Sequence, residues 1–135
     1  LNGRTRIVDF KSGILKNNAS ELRIKGIETC FDGEHSKAFQ LMCYAWMAYR
    51  SDPEAYAQGL ELAILPLQQA EGGPRLLEID QQSLLTVQSL EKFESLLLQH
   101  LREMMDPDRP FEATTQVRKC TYCDFNRICQ RQPED

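Results

Sequence analysis

The chain has 135 residues, 41% of them apolar and 27% charged, with 16 basic against 20 acidic side chains, a net charge of −4 and five cysteines. Composition excludes a disordered or fibrous chain. No apolar stretch approaches the roughly 20 residues of a spanning helix, and the opening residues hold no hydrophobic signal core, so a cytoplasmic domain with no membrane partner is expected.

In chain order, Arg4-Thr5-Arg6-Ile7-Val8-Asp9-Phe10 reads as a strand, entered within a few residues of Leu1 as in a piece cut from a longer chain. Ser12-Gly13 ends it, and Lys16 to Gly33, polar with Asn17-Asn18 and Asp32-Gly33 as turn signals, reads as a loop. From His35 to Arg50, the residues Ala38, Phe39, Met42, Ala45, Trp46 and Tyr49 recur at three- and four-residue steps, which predicts a helix with one buried face, ended by Asp52-Pro53. Residues 60–67 and 75–79 read as an antiparallel hairpin around Glu71-Gly72-Gly73-Pro74, whose glycines permit the positive φ a reversal needs. Asp80 is placed to cap a long helix over 81–105, with Leu84, Leu90, Phe93, Leu97, Leu101 and Met104 along one side and Asp106-Pro107 at its end. The remainder is irregular until a short helix expected over Cys123–Arg131. The fold class is mixed α/β.

Charge is unevenly placed. Residues 1–25 carry six bases against Asp9 and Glu21, a net +4, and residues 117–132 carry four against Asp124, a net +3, whereas residues 26–116 carry six bases and fifteen acids. Phosphate binding responds to local charge, so a basic surface built from the two ends is compatible with the acidic total.

Three groups of residues can carry chemistry. On a strand, Asp9 and Lys11 project to one face, and Val8 and Phe10 are expected to face apolar packing on the other. A carboxylate there can hold Mg²⁺, and the neighbouring ammonium can stabilise charge on a phosphoryl group, although D-x-K alone is too common to specify this. Gln40 and Tyr44 stand four apart on one helix face, which Lys37 extends by a turn. Cys120, Cys123 and Cys129 form a C-x₂-C-x₅-C array suited to one metal centre but one ligand short of closing it, and five cysteines, an odd number, argue against a closed disulfide framework.

In this order, Asp9-Phe10-Lys11-Ser12-Gly13, Gln40-x₃-Tyr44 and the cysteine trio resemble the C-terminal portion of RecB-like, AddB-type nuclease domains of the PD-(D/E)XK superfamily, across nearly the whole chain. The resemblance implies a restriction-endonuclease-like mixed sheet flanked by helices, truncated at its N-terminal side, with a nuclease core over 1–112 and a cysteine-containing tail over 113–135. It implies a Mg²⁺- or Mn²⁺-dependent DNase that processes and repairs DNA ends with a helicase domain or subunit. Asp9 then matches a metal ligand, joined by the Phe10 backbone carbonyl, Lys11 the catalytic lysine, and Gln40 and Tyr44 the helix motif that positions the site and the DNA strand. Cys120, Cys123 and Cys129 match the last three ligands of a [4Fe-4S] cluster, complete only in the intact protein. The family's earlier acidic ligands and first cluster cysteine have no counterpart in these residues, which alone are expected to have negligible activity and an unpaired sheet edge open to self-association. Two other readings are a DNA-binding scaffold of the same fold without catalysis, and a cysteine–metal module completed by His100 or Cys30.

Overall fold

The computed structural model describes residues 4–15, 19–110 and 112–130. Its strands are β1 (Thr5–Lys11), β2 (Arg23–Ile24), β3 (Leu60–Pro66), β4 (Arg75–Leu76), β5 (Glu78–Ile79) and β6 (Leu84–Leu85), and its helices are α1 (Ser36–Ser51) and α2 (Val87–Met105). Short 3₁₀ turns cover Ala19–Leu22, Ile27–Phe31, Leu67–Gly72 and Val117–Cys120. Two compact units divide the chain, Leu1–Leu101 and Arg102–Asp135.

In the first unit β3 is the centre of a mixed sheet. Its run Leu60, Leu62, Ala63 and Ile64 is apolar on both faces and fully buried, as a central strand must be. On one side it pairs in parallel with β1, from Thr5 opposite Leu60 to Lys11 opposite Pro66. A parallel pair needs a crossover, and α1 lies within the connection. On the other side β3 pairs antiparallel with β4 and with β6. Among the described residues β1 has no second partner strand, so it forms an edge.

Both helices bury their apolar stripes in one core with Leu60, Leu62 and Ile64. The core joins Ala38, Leu41, Met42 and Ala45 of α1 to Leu90 and Phe93 of α2. The Phe31 ring meets Phe39 at 5.3 Å and Phe93 at 5.4 Å between centroids. Burying a side chain of this size contributes about 1.5–3 kcal/mol. Gly59 admits the chain to β3: its φ is +85°, and a Cβ would lie 2.5 Å from the Leu85 carbonyl oxygen. At the far end Gly73, φ +68°, turns the hairpin.

Several local expectations are corrected. The stretch between Lys16 and Gly33 is not wholly loop, because Arg23 and Ile24 pair in parallel with Glu78 and Ile79. This divides the second hairpin strand at buried Leu77: β4 stays with β3 and β5 leaves for a separate two-stranded sheet. Asp80 does not cap the long helix. Asp80 and Gln81 take positive φ values of 49° and 66° in a turn, and β6 follows. The cap is Thr86, whose Oγ1 accepts from the Ser89 amide at 3.3 Å and whose carbonyl oxygen accepts from Leu90. Propensity placed the helix start early because Leu84 and Leu85 continue the helical apolar period while the sheet takes them instead.

In the second unit no helix forms over the described part of Cys123–Arg131. Successive turns run through Cys123, Asn126, Cys129 and Gln130, and Tyr122, Phe125 and Ile128 are exposed, so no buried face organises a helix. Arg131 lies outside the described residues. No helix among the described residues is long and apolar enough to cross a membrane.

Candidate active site

The site grows from the β1–α1 pairing. Parallel register puts Ile7, Asp9 and Lys11 on the face of Leu62, Ile64 and Pro66, which α1 covers. Ile7 packs against the core there. Phe10, expected to be packed, is instead 63% exposed on the opposite face. The alternation was correct and the buried side was the other one, which makes Asp9 and Lys11 partly buried, with side-chain exposures of 14% and 33%.

Four side chains then link in sequence. Lys11 Nζ lies 2.9 Å from Asp9 Oδ2 and donates to Gln40 Oε1 at 2.7 Å. Gln40 Nε2 donates to the Tyr44 hydroxyl at 2.7 Å. The amide orientation follows from chemistry: an ammonium has only donors, so the Gln40 carbonyl oxygen must face it, and the NH₂ then faces the phenol. Gln40 and Tyr44 can do this because they sit one helical turn apart on α1, beside the stripe of Leu41, Met42 and Ala45 that holds the helix to the sheet. Every residue expected in the catalytic group is therefore brought together.

Asp9 Oδ2 is buried without a hydrogen bond, since the Lys11 ammonium approaches it at an angle that makes an ion pair only. The ion pair meets the charge, and the carboxylate keeps acceptor capacity for a further cation or donor. It fits a hard divalent cation, which takes one or two protein carboxylates together with waters and substrate phosphate oxygens.

The cysteine trio is not assembled into a site. Cys120 is buried while Cys123 and Cys129 are exposed. No group of three or more His, Cys, Asp or Glu side chains among the described residues could hold a metal ion. The arrangement does not fit a cluster as it stands. Of the suggested fourth ligands, His100 stacks on Phe31 at 4.6 Å between centroids and Cys30 is buried in the core. Burial, reinforced by the Asp32 carboxylate, pushes the Cys30 thiol up to about 12.

Two ion-pair groups were missed. Glu61, 5% exposed in mid-β3, accepts from Arg6 Nε at 3.0 Å and Nη2 at 2.6 Å, and from Arg4 Nη1 at 3.3 Å. The Arg6 hydrogen bonds hold its carboxyl below the usual glutamate range against the opposing effect of burial, and Arg4 adds to this. The signal was available: a lone acid in an apolar strand run, with two arginines spaced by two on the neighbouring strand. Lys37 pairs with Glu21, tying α1 to the Ala19–Leu22 turn.

Comparison with curated proteins and with solved structures gives no match. The family model described as the PD-(D/E)XK nuclease superfamily matches residues 1–130, nearly the whole chain, and with a mixed sheet flanked by helices beneath the Asp9–Lys11 pair, the chain belongs to that superfamily.

Proposed function

We propose that this chain belongs to the metal-dependent nuclease domain of a DNA end-processing and repair enzyme, that the intact enzyme hydrolyses phosphodiester bonds, and that Asp9, Lys11, Gln40 and Tyr44 form part of its reacting face. The single observation that carries the reading is the unbroken contact series from Asp9 through Lys11 and Gln40 to Tyr44. The superfamily match supports nuclease chemistry with a divalent metal, and the helicase-associated, RecB-like setting rests on the joint motif pattern in the sequence.

Asp9 and the Phe10 carbonyl would hold Mg²⁺ or Mn²⁺, which when bound lowers the pKa of water and neutralises phosphate charge. The chain's own work is positional and electrostatic. Of the three ammonium donors on Lys11, one is committed to Gln40 and the ion pair with Asp9 restrains the head group, so a donor remains to orient the attacking water and to stabilise charge on the phosphoryl oxygens. Gln40 fixes the ammonium, and Tyr44 fixes Gln40 from one helical turn away. No part of the reaction passes through a cysteine-bound cluster; that cofactor, for the intact protein, is a reading of the C-x₂-C-x₅-C spacing that iron analysis of the purified protein tests.

The test is cleavage of a labelled duplex oligonucleotide by the full-length protein with Mg²⁺, alongside Asp9→Ala and Lys11→Ala. Loss of a charge-stabilising group at a reacting centre costs on the order of 10²–10³ in rate. Cleavage undiminished in both variants overturns the reading, and DNA binding without cleavage by the unaltered protein selects the scaffold reading instead.

A further inference from the structure

The register of the sheet extends the site sideways. Ile64 is the partner of Asp9 on β1 and of Arg75 on β4, so one row across three strands carries Asp9, Ile64 and Arg75, all projecting to the face that α1 covers. Two strand spacings separate the outer members, about 10 Å. Arg75 is exposed, and among the described residues it makes no ion pair or side-chain hydrogen bond. It is also one of only six bases in the acidic stretch 26–116, so general surface charge does not explain it.

Arg75 borders a cavity of about 260 Å³, with Leu15, Leu22 and Leu76 on its walls and Arg23 and Glu78 also lining it. Arg23 Nε holds the Glu78 carboxylate at 3.1 Å, which neutralises the acid and leaves the net charge of the lining positive through Arg75. The cavity is smaller than the roughly 300–1,000 Å³ of enclosed small-molecule sites, and it combines apolar walls with a cationic rim. Those are the features a sugar–phosphate unit needs: a face for deoxyribose and a guanidinium for the phosphate. The turn that bears Leu22 is tied by the Glu21–Lys37 ion pair to α1, one turn before Gln40, so this wall and the reacting face share a support.

We infer that Arg75 and the adjoining cavity bind a backbone phosphate of the DNA strand being cut, displaced from the scissile phosphate by the two-strand offset, and so set the strand's register over Asp9 and Lys11. This rests on the proposed nuclease reading and adds to it a positioning contact that takes a phosphodiester without regard to base.

The test compares Arg75→Ala and Arg75→Lys with Asp9→Ala in the full-length protein, measuring duplex oligonucleotide binding in EDTA over a series of salt concentrations and cleavage with Mg²⁺. Arg75 is exposed, so its loss should weaken binding as a solvent-screened ion pair does, by about two- to fivefold. One lost phosphate contact on duplex DNA lowers the salt slope by about 0.9. The loss in cleavage should fall on KM rather than on kcat, with Arg75→Lys restoring most of it. A single neutral methylphosphonate one to three nucleotides from the cut site should weaken the unaltered protein and not Arg75→Ala. Affinity and slope unchanged in Arg75→Ala overturn this inference alone if Asp9→Ala is inactive. Full cleavage by Asp9→Ala instead overturns the placement of the reacting face at Asp9, on which this inference rests.

Discussion

Substitutions along the Asp9–Lys11–Gln40–Tyr44 series should act in a graded order, and Gln40→Ala is the decisive member. Gln40 Oε1 accepts from the Lys11 ammonium at 2.7 Å, a hydrogen bond to a charged group, worth about 1.5–3 kcal/mol. Lys11 is one-third exposed and retains Asp9 at 2.9 Å, so water and the carboxylate recover part of the loss, and the lower limit applies. At 1.36 kcal/mol per factor of ten, kcat should fall about tenfold if the whole loss is felt in the transition state. Tyr44 touches Lys11 only through Gln40, so Tyr44→Phe should cost less, about threefold. Single-turnover cleavage of a labelled duplex by the full-length protein measures both, with thermal melts confirming folding. Should Tyr44→Phe fall below Gln40→Ala, or Gln40→Ala cleave at the unaltered rate, the relay does not position the lysine and its catalytic assignment fails.

Other outcomes follow from the same packing. Glu61 has its folded-state pKa lowered by Arg6 and Arg4, so its contribution is present above the ordinary glutamate range and is lost as pH falls below about 4.5 through the lowered value. Glu61→Gln should therefore melt lower at neutral pH and show a shallower loss of stability on acidification, in melts taken across pH 3–7 (roughly); Glu28 and Asp32, shifted the same way, leave some acid sensitivity behind. Thr86→Ala should cost about 1 kcal/mol as a lost helix cap, while Asp80→Asn, which keeps a residue tolerant of positive φ, should change stability by less than about 0.5 kcal/mol in denaturant titrations. Phe93→Ala, at a fully buried position between Phe31 and Phe39, should cost about 3–5 kcal/mol.

What the sequence made legible was local and periodic. The α1 stripe and the alternation of β1 were readable because each is a short-range pattern with one solution, and four residues of the candidate site came with them. Which face of β1 is buried was not readable, because Val8 and Phe10 are more apolar than Asp9 and Lys11 and the strand alone gives no sign that α1 covers the polar side. The split of residues 75–79 between two sheets was equally hidden: it depends on Arg23 and Ile24, two residues with no strand signature outside their pairing. Glu61 was passed over because its partners lie 55 and 57 positions away and become neighbours only once β1 and β3 are known to run parallel.

The two faces of the β1–β3 pair carry two charged clusters that differ in how far their polar groups are satisfied. Arg6 and Glu61 are directly opposed in the register, and Arg4 lies beyond them; the carboxylate accepts three hydrogen bonds and has its charge met. The group ties β1 to β3 across their register. Asp9 and Lys11, three and five residues beyond Arg6 and on the other face, are less fully met: the carboxylate has an ion pair with the amine, and the amine is divided between that acid and an amide from α1. A fold with the means to satisfy Glu61 so fully does not leave Asp9 open for want of donors nearby. The contrast yields its own measurement: added Mg²⁺ or Mn²⁺ should raise the melting temperature of the unaltered protein and leave that of Asp9→Ala where it is, and the Glu61→Gln protein should keep the metal response. A metal response that follows Glu61 and ignores Asp9 would reverse the assignment of the two faces.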